Sequence, residues 1–300
     1  PQHGRLKDHG GTIEAGGQTI NSFCVCTELT LDNTDSPKEA GHGIFCHEFC
    51  HYLGLADLYD TDGEGSGGTA EGLRNTGIMD NGCKNDEVPD FCAVDLEILG
   101  KGKSMALTAG SHTLKPLNRS GEYFKAAGTD QDEFFLFECR EGKGLAIYHI
   151  DRSGNDAGWS DYYKRDLTAR ERWEFSQVNC RPDRQCAQLL VPDTDGDGLY
   201  FPQGGLDSFG SDTTPAFRFQ DGSTSPLALT GIRTNPDGSV SFEVKEPLAM
   251  EKCTVFQDAA IISWRTDGSM GEIEGYEISW NSQRGSFSTT ASRDAVSWTL

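Results

Sequence analysis

Three hundred residues, 36% hydrophobic and 10% aromatic, hold enough apolar side chains for one large core or two smaller ones, which excludes a disordered chain. Acidic residues number 47 against 26 basic, a net charge of -21 at pH 7, which excludes a phosphate-binding nucleic-acid surface and favours solubility and cation binding. No apolar run is long enough to span a bilayer, and no signal peptide is visible. The chain starts at Pro1 and stops at Leu300 directly after a strand-like run, so it is expected to be a processed or excised segment of a longer polypeptide. Its ten cysteines, even in number and widely spaced, fit an oxidising compartment. Cys180 with Cys186 and Cys83 with Cys92 are the expected local bridges, and small buried apolar residues are the alternative use, above all for Cys24, Cys26, Cys46 and Cys50.

In chain order, Thr19 to Leu31 is the first expected strand, closed by a turn over Asp32 to Pro37. Gly43 to Asp60 follows, with His47-Glu48-Phe49-Cys50-His51 at its centre. Residues four apart share one helix face, so His47 and His51 can offer imidazole nitrogens to one metal ion while Glu48 reaches a water beside it. Zinc suits this pattern, because an open fourth position lowers the pKa of a water to about 7. The bland alternative is two histidines on a buried helix. Ile44, Phe45, Cys46, Phe49, Cys50 and Leu53 surround the helix on most sides and predict burial. Gly54 ends it, and Asp57 and Asp60 come at once afterwards.

Residues 60 to 82 read as a glycine-rich loop carrying Glu64, Glu71 and Met79, and Val88 to Leu99 as a helix ended by Gly100. Beyond residue 103 the pattern turns to period two, with Glu133 to Cys139 and Gly144 to Asp151 the clearest strands. Residues 152 to 180, with Trp159, Tyr162, Tyr163 and Trp173, read as a short helix or an aromatic loop. Asp193, Asp195 and Asp197 have the spacing of the first half of a Ca2+ loop, without the distant Glu of an EF-hand. Asp57, Asp60, Asp62 and Glu64 form a second acidic cluster. From Pro247 the Ser-Trp strands around Trp264 and Trp280 suggest a sandwich module.

The run from His47 to Asp60, HEFCHYLGLADLYD, resembles the immune-inhibitor-A-type family of secreted bacterial zinc metallopeptidases, whose usual text is HEFGHxLGLPDLYDT. Met79 resembles that family's methionine after the helix. Glu133 to Glu138, Gly144 to Asp151, Leu199 to Pro202 and Thr214-Pro215 resemble its β-rich remainder. Cys50 stands where the family has Gly, and Ala56 where it has Pro. Pro247 to Leu300 resembles the first part of a fibronectin type III module.

The resemblance implies an α+β fold, zincin-like around a buried HExxH helix, followed by a β-rich region and the start of a β-sandwich. Its parts would be residues 1–103, the zinc-binding part with its N-terminal portion missing; 104–246, the β-rich remainder; and 247–300, the truncated module. It also implies a secreted or cell-surface location and a zinc-dependent endopeptidase acting on protein or peptide substrates, with Ca2+ a second possible ion. Glu48 would be the general base, and Tyr148 and His149 are candidate oxyanion donors. The third zinc ligand stays open. A downstream glutamate matches Glu71, eight residues before Met79, whereas the metzincin spacing selects Asp57; Glu64 is third. If Glu71 ligates, Asp57 would accept a ligating histidine's free N–H. The competing reading is a non-catalytic adhesin or glycan- or protein-binding scaffold on a peptidase-like domain.

Overall fold

A computed structural model describes residues 2–5, 11–26, 28–31, 37–39, 41–83, 87–192, 198–246, 248–256, 259–266, 275–282 and 285–299. The Ca2+-loop aspartates Asp193, Asp195 and Asp197 lie outside the described residues.

Strand dominates the structure. Among the described residues, α-helix is confined to four short segments: α1 (His42–Tyr52), α2 (Ala93–Leu99), α3 (Leu117–Ser120) and α4 (Ala169–Glu174). This corrects the expectation of a zincin-like α+β fold built on a buried HExxH helix. The protein is β-rich, and only one face of α1 is covered: Phe45, Phe49, Tyr52 and Leu53 are 44% to 60% exposed. Ring stacking of Phe45 on Phe49 and of Phe49 on Tyr52 runs along that bare face. The physical reason for so little helix lies in the punctuation. The first of these helices stops at Gly54, whose φ of +100° favours glycine, and α2 and α3 run directly into Gly100 and Gly121.

The chain divides into two compact units, residues 1–107, 113–206 and 233–241, and residues 108–112, 207–232 and 242–300. The first is built on a five-stranded sheet with strand order 187–190, 144–151, 133–140, 122–127, 103–106. Neighbours are antiparallel except the last pair, where Lys103–Ala106 runs parallel to Glu122–Ala127. Glu133–Arg140 and Gly144–Asp151 are buried almost end to end, as strands covered on both faces must be. Their acids are paired where they are buried: Glu133 with His149 at 2.8 Å, Glu138 with Arg140, and Asp151 with Arg184.

One apolar cluster joins this sheet to the segment that follows α1, with Leu58, Leu73 and Met79 packed with Leu136, Tyr148 and Leu189. Hydrogen bonds fix that segment to the sheet's edge. The Asn179 carboxamide donates to the Leu58 and Ala187 carbonyls at 2.8 and 2.6 Å, and Leu189 N–H donates to Gly72 at 3.2 Å. Phe137 lies in the sheet's middle with no exposed surface. Phe137→Ala is expected to cost about 3–5 kcal/mol in urea unfolding; a loss below about 1 kcal/mol would mean that this sheet is not the core.

In the second unit, Leu248–Val255, Ala260–Thr266 and Ser297–Thr299 form one antiparallel sheet, and Gly275–Ser282 pairs with Gly285–Ser292 as a hairpin. Trp264, Ile278 and Ala291, from these strands, are buried together.

Candidate metal centre

The helical repeat places His47 and His51 on one face of α1, with ring centroids 4.9 Å apart and planes at 89°. Each ring is held from behind by a backbone carbonyl. His47 Nδ1–H donates to Ile78 at 2.6 Å, and His51 Nδ1–H donates to Leu55 at 2.8 Å. Leu55 is in reach because the helix ends at Tyr52, just past His51: Gly54 N–H donates to the His51 carbonyl at 3.0 Å and Leu55 N–H to Cys50 at 3.2 Å. These bonds fix the ring orientation and turn both Nε2 atoms forward.

What they meet is Asp57. Its Oδ1 lies 3.1 Å from His47 Nε2 and 3.2 Å from His51 Nε2. The backbone beyond Gly54 makes this approach, and Leu58 N–H donating to the Met79 carbonyl at 2.7 Å secures it. Thus the loop of Ile78 and buried Met79 holds both the helix histidine and the strand of chain that carries the carboxylate. From the far side, Ser176 accepts the Asp57 N–H at 2.9 Å and donates its hydroxyl to Asp57 Oδ2 at 3.0 Å. Glu48 is buried beside His47, and its charge is felt by Cys24 on the strand Ser22–Val25 packed against α1. Burial, then Cys26 and Glu48, push the Cys24 thiol up to about 11.

The donor set fits a metal ion. Two imidazole nitrogens and a carboxylate oxygen, one ligand atom from each residue, all lie within 4.8 Å of one another. Without an ion His47 Nε2 hydrogen-bonds the carboxylate, and two nitrogens with one oxygen form a common zinc set. Without an ion, His47 and Asp57 hold each other as a pair. Burial alone would raise Asp57, yet hydrogen bonds and charge from His47 and His51 hold it well below the usual carboxylate range. Burial alone would lower His47, but Asp57, the Ile78 carbonyl and Glu48 outweigh it and raise it. Tyr59, tilted over His47 at 6.1 Å, has its phenol pushed up by burial and by Asp57.

The other candidate residues lie elsewhere. Glu71 has a side chain 64% exposed and pairs with Arg74 at 3.6 Å. Glu64 accepts the Thr69 hydroxyl at 3.2 Å on the surface. Asp60, Asp62 and Cys180 place one ligand atom each within 4.8 Å, but Asp60 already accepts backbone N–H groups from Asp62, Gly63 and Ala70. That is the work of a loop organiser. Tyr148 is fully buried and accepts from Arg140 at 3.3 Å, while His149 stacks on Phe135 at 4.4 Å and bonds Glu133. Both are packing residues in the sheet. All ten cysteines are free thiols, so the Cys180–Cys186 and Cys83–Cys92 bridges are not formed; Cys180 lies against the Thr61 hydroxyl at 3.1 Å, and Cys83 donates to the Ile78 carbonyl at 3.7 Å. Sequence reasoning passed over Ser176 and the carbonyls of Leu55 and Ile78. No local signal marks a serine 119 residues from its partner or a backbone group.

Residues 8–99 match the family model described as immune inhibitor A peptidase M6, catalytic domain. No curated protein and no solved structure matches the chain. The match supports a metal-dependent peptidase, a hydrolase whose substrates are proteins or peptides, over the first third of the sequence. Among the described residues, no helix is long and apolar enough to cross a membrane.

Proposed function

We propose that this chain is a zinc endopeptidase whose ion is held by His47 Nε2, His51 Nε2 and the Asp57 carboxylate, with Glu48 as the general base. The observation that carries this reading is the convergence of two Nε2 atoms on Asp57 Oδ1 at 3.1 and 3.2 Å, each ring locked by a backbone carbonyl. It favours Asp57 over Glu71 as third ligand, because Glu71 is exposed and engaged with Arg74.

Held there, zinc would supply a water of pKa about 7 and Lewis-acid polarisation of a carbonyl. Glu48 then does the proton work: its carboxylate removes a proton from the attacking water and returns it to the leaving amine nitrogen. Burial of Glu48 at 8% exposure keeps bulk water from competing for that proton. The Ile78 and Leu55 carbonyls hold the His47 and His51 rings with Nε2 toward the ion's place.

Purified chain loaded with zinc is expected to cleave an unfolded protein substrate, to stop when a chelator strips the metal, and to recover when zinc is returned. Undiminished cleavage in the chelator-stripped protein would refute metal-dependent hydrolysis.

A further inference from the structure

Ser176 stands at a position where the backbone asks for glycine. It follows α4 in the left-handed region at φ +53°, with its N–H on the Trp173 carbonyl at 3.5 Å and Gln177 N–H on the Arg172 carbonyl at 2.8 Å. This pair of bonds is the Schellman ending of a helix, and its left-handed residue is usually Gly because a Cβ is strained there. The helix before it is well specified, with Thr168 and Glu171 capping each other's backbone N–H groups at 3.2 and 2.9 Å. A residue that breaks a local rule in an otherwise consistent setting points to a role for its side chain.

We propose that Ser176 is a positioning residue of the metal centre, its hydroxyl aiming the Asp57 carboxylate so that Oδ1 faces His47 and His51. The inference rests on Asp57 as the third ligand. A carboxylate on a short side chain turns easily, since the terminal torsion of aspartate is broad. Here Oδ2 is held by the Ser176 hydroxyl at 3.0 Å, and the same oxygen of Ser176 accepts the Asp57 N–H at 2.9 Å, which fixes backbone and carboxylate together. The Ser176 carbonyl also accepts the Thr61 hydroxyl at 3.1 Å, tying down the chain four residues further on. A glycine at residue 176 would keep the helix ending and lose both hydroxyl bonds. The strand-rich part of the first unit thereby supplies a support to a centre whose ligands all come from the stretch between His47 and Asp57.

The test compares the full-length wild type with Ser176→Gly, Asp57→Ala and the double variant. Zinc affinity is read by competition with a chromogenic chelator, coordination by the visible absorption of the Co2+ form, and folding by urea unfolding without metal. Ser176→Gly is expected to bind zinc about 10–100-fold more weakly, the usual cost of losing a group that orients a ligand, and to shift the Co2+ bands. Its metal-free urea midpoint should stay close to the wild type's, because relief at φ +53° offsets the lost hydrogen bonds. In the Asp57→Ala background, Ser176→Gly should have no further effect on zinc affinity. Zinc binding by Ser176→Gly as tight as the wild type's, or an equal loss in both backgrounds, overturns the positioning role while Asp57 remains a ligand. Wild-type affinity in Asp57→Ala overturns the ligand assignment and the positioning role with it. Should the glycine variant fail to fold, Ser176→Ala keeps the Cβ, removes the hydroxyl and carries the same expectations for zinc affinity and the Co2+ bands.

Discussion

Glu48→Gln is expected to bind zinc as the wild type does and to lose about 100- to 10,000-fold in kcat on an unfolded protein substrate, the span that a general acid–base group contributes. The substitution changes charge and leaves shape, so the largely buried site keeps its packing. His47, His51 and Asp57 retain every hydrogen bond that orients them, because none of the bonds to Ile78, Leu55 or Ser176 involves Glu48. A carboxamide cannot remove a proton from water, so substrate still binds and the chemical step fails. Zinc content per chain and kcat are the two readings. Undiminished cleavage by a zinc-loaded Glu48→Gln protein would remove Glu48 from the mechanism.

Asp57→Ala is expected to weaken zinc binding by more than about 100-fold, beyond the range for residues that merely orient a ligand. The loss has two parts. One of the three protein donors disappears, and the two Nε2 atoms lose the negative charge that now faces both of them at 3.1 and 3.2 Å. Glu71→Gln provides the contrast, with zinc affinity expected to remain at the wild-type value, since that carboxylate is exposed and paired with Arg74. Equilibrium competition with a chelator measures both variants. The reverse order, with Glu71→Gln the weaker binder, would return the third ligand to the glycine-rich loop.

His47, Glu48 and His51 are readable from sequence because their relation is local: the helical repeat alone brings residues four apart to one face. The stop at Gly54 is readable too, since a left-handed position after a helix favours glycine. Asp57 and Glu71 could not be separated, because the choice depends on the path of the chain after Gly54. That path is set by long-range bonds to Met79, Asn179 and Ser176. Period-two alternation located Glu133–Arg140 and Gly144–Asp151 well, whereas residues 152 to 180 hold a hairpin, Asp156–Ser160 with Arg165–Thr168, and then α4. The aromatic residues there belong partly to strands and turns, whose short polar alternation resembles loop. The zincin-like α+β expectation failed on a different ground. Apolar residues on most sides of α1 predict burial, but Phe45, Phe49 and Tyr52 stack on one another along an exposed face. Hydrophobicity reports what a face would gain from cover, and says nothing of whether cover is there.

The most direct test of the metal centre is X-ray absorption at the zinc edge together with anomalous diffraction from crystals of the zinc-loaded chain. One ion is expected, bonded to His47 Nε2, His51 Nε2 and an Asp57 oxygen at about 2.0–2.2 Å, the usual zinc distances to nitrogen and oxygen. An ion bonded to Glu71 in place of Asp57, or a chain that takes up no zinc at this cluster, would contradict that assignment.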